Sequence, residues 1–212
     1  MRETIRHCPA MRIALKPIDM GKRLNIPNIL TLSRIAVIPL VMVLFYMQTK
    51  VSLWSALALF TLGGITDFFD GYLARRWNMM SAFGRFLDPI ADKLLVASML
   101  IVLAAFDRLE NLWTIPAVII MMREMLIAGL REFLGPHRII LPVSRLAKWK
   151  TTSQMVSMGF LIMGGHGDVL VPHTMLIGHI GITIAAILTV VTGWDYMKKG
   201  IAAINDMDDE KL

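Results

Sequence analysis

The sequence predicts an all-α fold: a polytopic membrane protein of six transmembrane helices, with a basic juxtamembrane segment at its N-terminus. Three observations predict it. First, the composition is 56% hydrophobic and 18% charged with a mean hydropathy of +0.60, against about 45–50% and about 25% in a soluble domain. Second, the apolar excess falls in six blocks, residues 29–47, 53–73, 88–106, 112–133, 149–165 and 175–196, each close to the roughly 20 residues that carry a helix across a bilayer core. Third, the basic residues crowd into alternate connections. A soluble globule, a secreted disulfide scaffold and a disordered chain are all excluded.

The elements follow in order. Residues 1–24 hold Arg2, Arg6, Arg12, Lys16, Lys22 and Arg23 but no apolar stretch, so they do not read as a cleaved signal peptide. Pro17 interrupts a helix there, and the segment is expected to lie on an anionic membrane surface. The sole cysteine is Cys8, which excludes a disulfide framework and a thiolate metal cluster. The first span carries Arg34, with Thr31 and Asn28 at spacings of three on the same stripe. The second ends on Asp67 and Asp70, and the third opens on Asp88, Pro89 and Asp92. A proline near a helix start is tolerated because its missing N–H is not needed there. The fourth has Arg123 near its middle and Arg131 toward its far end, the fifth opens on Lys148 and Lys150, and the sixth is the block at 175–196. Residues 25–200 read as one six-helix domain and 201–212 as an acidic, solvated tail.

If the N-terminus is cytoplasmic, the outer loops near 48–50, 107–111 and 166–173 hold only Lys50 and Arg108. Arg75, Arg76, Arg85, Arg138, Arg145, Lys148, Lys150, Lys198 and Lys199 then lie inside, which is the positive-inside pattern. Trp54, Trp77, Trp113, Trp149 and Trp194 fall at block ends, at headgroup level. The expected location is the inner cell membrane, with both termini and the active site facing the cytoplasm. The net charge of +6 points to lipid headgroups or anionic substrates, since no aromatic-interleaved basic stripe suits a nucleic acid.

Four carboxylates stand where hydrocarbon should forbid them. Asp67 and Asp70 are three apart and Asp88 and Asp92 four apart, so each pair shares a helix face with roughly 5–6 Å between Cβ atoms. In an antiparallel hairpin both pairs meet at one depth. Each ionised carboxylate costs at least about 2.5–3.5 kcal/mol in the bilayer core, and four repel one another unless cations hold them. Divalent ions with oxygen ligands are the natural partners, and a pair of them can clamp the attacking and leaving oxygens of a displacement at phosphorus. Gly71 and Ala74 beside the carboxylates let a flat or phosphorylated ligand approach the helix. Caps or interfacial loop residues would explain one such Asp, not four at this spacing.

These residues carry a resemblance. Asp67, Asp70, Gly71, Ala74, Arg75, Gly84, Asp88 and Asp92 fill every fixed position of D-x2-D-G-x2-A-R-x8-G-x3-D-x3-D, and the chain thereby resembles the CDP-alcohol phosphatidyltransferases. The resemblance implies transfer of a phosphatidyl group from CDP-diacylglycerol to an alcohol with release of CMP. It implies two Mg²⁺ or Mn²⁺ ions held by Asp67, Asp70 and Asp88, with Asp92 beside them and acting as general base. It places Gly71, Ala74, Arg75 and Gly84 at the donor, Gly71 and Ala74 against the cytidine and Arg75 against the pyrophosphate. A homodimer is also implied. The resembling stretch begins near Met20, so the residues before it read as a local extension or a misplaced start.

Charge narrows the acceptor. Four aspartates and two divalent ions cancel, so the donor pyrophosphate and a phosphorylated alcohol, with a second phosphate pKa near 6, would leave about −4 to be balanced by separate basic groups. Arg34, Arg123, Arg131, Lys148 and Lys150 are the candidates. Arg123 is too deep to snorkel, which favours a pocket role. The alternatives are structural: Lys148 and Lys150 as membrane anchors, Arg131 paired with Glu124 or reaching the headgroups, and Arg123 neutralised by Glu124. The stretches at 25–34, 123–132 and 148–154 resemble in particular the branch of the family that forms phosphatidylglycerophosphate, which implies sn-glycerol 3-phosphate as acceptor. A sister enzyme using serine, inositol phosphate or phosphatidylglycerol stays open, as do a cation transporter and an intramembrane prenyltransferase. Both of the latter fit less well, since the carboxylates cluster at one depth and in one hairpin. His7, His137, His166, His173 and His179 show no ligand spacing and are expected at surface or packing positions, and the 17 methionines are packing or lipid-facing residues.

Overall fold

The structure, a computed structural model, describes residues 26–77, 82–135 and 145–209. Among them six α-helices and no strand are found: α1 (Ile26–Tyr46), α2 (Lys50–Trp77), α3 (Ala82–Ala105), α4 (Thr114–Leu134), α5 (Arg145–Met163) and α6 (Thr174–Asp209). Each apolar block falls on one helix to within two residues, and at the end with the polar turns the helices overrun the blocks. α2 continues to Trp77, α3 begins at Ala82 and α6 runs on to Asp209. Hydropathy marks the lipid-facing depth, whereas helical hydrogen bonding carries on through polar turns. One consequence concerns Pro89, which lies inside α3 rather than at its first turn. Its missing N–H therefore withholds a donor from the carbonyl one turn back.

The outer faces are apolar. Val43, Leu62, Ile101, Met122, Leu126, Ile187 and Val190 are all exposed, far more continuous apolar surface than a soluble monomer shows. The segments Asn111–Leu134 and Thr174–Met207 are each long and apolar enough to cross a bilayer, and Thr31–Tyr46 and Lys50–Thr66 are shorter apolar stretches. Such a surface suits lipid. The interior is packed by Phe45, Leu53, Phe60, Leu95, Met99, Leu103, Ile120, Met158, Leu161, Ile162 and Ile182.

α1 packs on both α2 and α3, α6 packs on both α4 and α5, and contacts of α2 with α5 and of α3 with α4 and α5 join the two groups. Small residues set the close approaches: a Cβ on Gly178 would meet Leu161 Cγ at 2.8 Å, which lets α5 and α6 lie near each other as helices without a hydrophobic driving force require. At the end carrying the 47–49, 106–110 and 164–173 connections, Arg108 ties three of them together. Its Nη2 donates to Gln48 Oε1 at 3.3 Å, its carbonyl accepts from His179 Nε2 at 2.8 Å, and its guanidinium lies over Gly164. The His179 ring stacks on Trp113 with centroids 4.6 Å apart. His179 thus has the packing role expected of it.

Candidate functional site

The polar turns of α2 and α3 flank the 78–81 connection and share one end of the bundle. Asp67 lies ten residues before the end of α2 and Asp92 ten after the start of α3, each about 15 Å along its helix at ~1.5 Å per residue. Asp70 and Asp88, seven and six residues in, lie about 9–11 Å along. The two helices approach at Gly63, where a Cβ would stand 3.4 Å from Leu95 Cδ2. From that contact Asp67 is four residues on and Asp92 three residues back, one turn toward the same end. The side-chain surroundings of Asp67, Asp70, Gly71, Ala74, Arg75 and Asp88, and of Asn28, lie outside the described residues. Among the described residues no group of three or more His, Cys, Asp or Glu side chains stands close enough to hold a metal. Gly84 is buried near the start of α3, and the Asp92 side chain is exposed.

α1 delivers a cation to this end. Arg34 is 1% exposed and Thr31, one turn earlier, is equally buried, on the helix that packs against both α2 and α3. Arg34 stands eight residues into α1, about 12 Å along it, close to the depth of the aspartates.

A second group of charges sits where α4, α5 and α6 meet. Glu124 Oε1 accepts from Arg123 Nη1 at 3.3 Å and also from Lys150 Nζ, reaching from α5 to α4. Lys150 is 4% exposed. Arg123 Nη2 donates to Thr192 Oγ1 at 3.3 Å, and its guanidinium lies 5.8 Å from the Tyr196 ring centroid. Gly193 makes room for this reach, since a Cβ there would stand 2.9 Å from Arg123 Cγ. Lys150 lies within electrostatic reach of Glu124, Arg123 and, most weakly, Asp92. Arg131 and Lys148 are exposed and stand apart from it. Of the five basic residues picked out by sequence, the structure buries Arg34 and Lys150 and largely encloses Arg123, and it brings Arg123 and Lys150 together.

Four residues here escaped the sequence reading as site residues: Glu124, Thr192, Gly193 and Tyr196. Glu124 was visible only as a neutraliser of Arg123 or a partner of Arg131 on its own helix, and its bond to Lys150 joins residues 26 apart in sequence. The one available signal on α6 was Gly193 set between the hydroxyl of Thr192 and the aromatic Trp194 inside an apolar span.

Alongside α2 and α5 runs an apolar groove of about 880 Å³, lined among others by Leu57, Phe60, Gly64, Ile65, Met155 and Phe160. It reaches from Thr174 at the loop end to Thr151 and Ile65, two residues short of Asp67.

Comparison with known proteins gives a consistent result. The family described as CDP-alcohol phosphatidyltransferase matches residues 24–192. A protein of Rickettsia typhi named CDP-diacylglycerol–glycerol-3-phosphate 3-phosphatidyltransferase is 45% identical over 174 residues, covering 82% of this chain and 96% of the relative. Relatives of the same name in Cereibacter sphaeroides and Shigella flexneri are 38% and 35% identical, covering 86% and 88% of this chain and 98% of each relative.

Proposed function

The chain belongs to the CDP-alcohol phosphatidyltransferase family, and we propose that it transfers the phosphatidyl group of CDP-diacylglycerol to sn-glycerol 3-phosphate, giving phosphatidylglycerophosphate and CMP. The observation that carries the choice of acceptor is the enclosed pair Arg123 and Lys150, gathered on Glu124 within electrostatic reach of Asp92. Glu124 offsets one of the two cations; a zwitterionic acceptor such as serine brings no net charge to match the other, whereas a phosphate monoester does. The names borne by the relatives from three genera support the same acceptor.

Asp67, Asp70 and Asp88, with Asp92 beside them, hold two Mg²⁺ or Mn²⁺ ions. The fit rests on the hard carboxylate donors and on the equal heights of the two pairs about the Gly63–Leu95 contact. Ions bound there would neutralise the carboxylates and would supply charge stabilisation to the phosphates. Gly71, Ala74, Arg75 and Gly84 seat the nucleotide, and the groove between α2 and α5 takes an acyl chain of the donor, since it is apolar and ends beside the turn that carries Asp67. Arg34, Arg123 and Lys150 hold the acceptor phosphate, with Arg131 and Lys148 attracting it from the surface. Asp92 accepts the proton of the acceptor hydroxyl as its oxygen attacks the phosphorus bearing diacylglycerol, and the bond to CMP breaks. All six helices span the inner membrane with the aspartate end at the cytoplasmic face, and two chains form a homodimer.

The test is CMP release from CDP-diacylglycerol with glycerol 3-phosphate, serine, inositol phosphate and phosphatidylglycerol, each with and without Mg²⁺. Turnover is expected with glycerol 3-phosphate and Mg²⁺ alone. Preference for another acceptor would move the chain to a sister reaction, and full turnover in a chelator would remove the metal assignment.

A further inference from the structure

We propose that Glu124 is a positioning residue for the acceptor phosphate, holding Lys150 and Arg123 at the separation a phosphate group needs. The inference rests on the acceptor reading above. A single oxygen, Glu124 Oε1, takes hydrogen bonds from Lys150 Nζ on α5 and Arg123 Nη1 on α4. Two cations this close repel strongly in an enclosed site, so an anion between them is what keeps them convergent. A carboxylate serving only to neutralise its own helix would be satisfied by Arg123, its neighbour in sequence. Glu124 instead reaches across to α5 and fixes an ammonium that lies within reach of Asp92, where the acceptor hydroxyl must be deprotonated.

The other donors of Arg123 support the assignment. Its Nη2 is held by Thr192 on α6, so the guanidinium plane is fixed from two sides. Its Nε is buried with no hydrogen-bond partner among the described residues. A buried donor left unmatched is costly, and a phosphate oxygen of an arriving acceptor would satisfy it. Glu124 is then the resident anion that shapes the pocket, and the phosphate joins it rather than organising two free side chains.

The experiment measures the KM of glycerol 3-phosphate and of CDP-diacylglycerol separately in wild type, Glu124→Gln and Glu124→Asp. Glu124→Gln keeps shape but loses charge, and the acceptor KM is expected to rise at least about tenfold, the worth of a charge-assisted hydrogen bond, with donor KM within about twofold. Glu124→Asp keeps the charge and should recover part of the loss. An unchanged acceptor KM in Glu124→Gln, an equal rise in both constants, or a fall in acceptor KM (which would make Glu124 a competitor of the phosphate) overturns the inference. Should Glu124→Gln fail to accumulate, Glu124→Asp carries the same comparison, because its shorter carboxylate cannot span both cations. Wild type run alongside keeps the two proposals apart. Its failure to release CMP with glycerol 3-phosphate defeats the functional reading, whereas normal wild-type turnover with unaltered variant constants defeats this inference alone.

Discussion

Replacing Gly193 by alanine tests whether Arg123 must be held against α6 for the acceptor to bind. The new Cβ would stand 2.9 Å from Arg123 Cγ, against about 3.5–4.0 Å for carbon atoms at ease, so the arginine stem must shift by roughly 0.6–1 Å. Cγ lies midway along the side chain, and the guanidinium beyond it cannot absorb the shift without leaving Thr192 or Glu124, both at 3.3 Å. Losing one hydrogen bond to a charged group costs about 1.5–3 kcal/mol, equivalent to about ten- to a hundredfold in binding. Stability moves little, because alanine in a helix gains about 0.5–1 kcal/mol over glycine and offsets part of the crowding. The assay is the acceptor KM in CMP release, with donor KM and thermal midpoint as internal references. Gly129→Ala on α4 is the matched control, since a Cβ there meets nothing within 4 Å. An acceptor KM that stays at the wild-type value in Gly193→Ala would refute the reasoning, as would an equal response in Gly129→Ala.

Other substitutions probe separate parts of the molecule. Asp92→Asn is expected to keep donor binding and abolish turnover, and substantial CMP release by this variant would end its assignment as the base. Lys150→Ala should raise the acceptor KM well beyond Lys148→Ala, because Lys150 is buried on Glu124 and Lys148 is exposed. Equal effects would mean that burial does not select the acceptor ligand. At the opposite end, Gly164 has φ +53° and a Cβ would collide with the Arg108 guanidinium. Gly164→Ala should therefore cost about 2–3 kcal/mol, from a left-handed residue at ~1–2 and a weakened Arg108–Gln48 bond at ~1. Thermal unfolding in detergent should show a fall of about 4–12 °C with both KM values unchanged, while Gly165→Ala, which meets nothing, should not shift; like midpoints in the two variants would contradict this.

The helices were legible because hydropathy needs no knowledge of neighbours: an apolar block near twenty residues long is a helix wherever it packs. Their ends were less so, since the polar turns at 82–87 and 197–209 continue a helix that the apolar pattern had already left. Sequence also placed Asp67 with Asp70 and Asp88 with Asp92, because three- and four-residue spacings share a helix face whatever the fold.

The pairing of charges between helices was a different matter. Glu124 had Arg123 beside it and Arg131 two turns on, and nothing along the chain pointed to Lys150. That choice depends on how α4 and α5 are rotated about their axes. The rotation is set by contacts such as Leu130 against Gly200 and Arg123 against Gly193, with α6 as the surface on which both helices rest. Periodicity and spacing are properties of one helix, so the sequence determined the helices, the spacing of the aspartates within each helix, and the family. Which cations turn inward, and onto which carboxylate, is a property of three helices at once, and only their packing decided it.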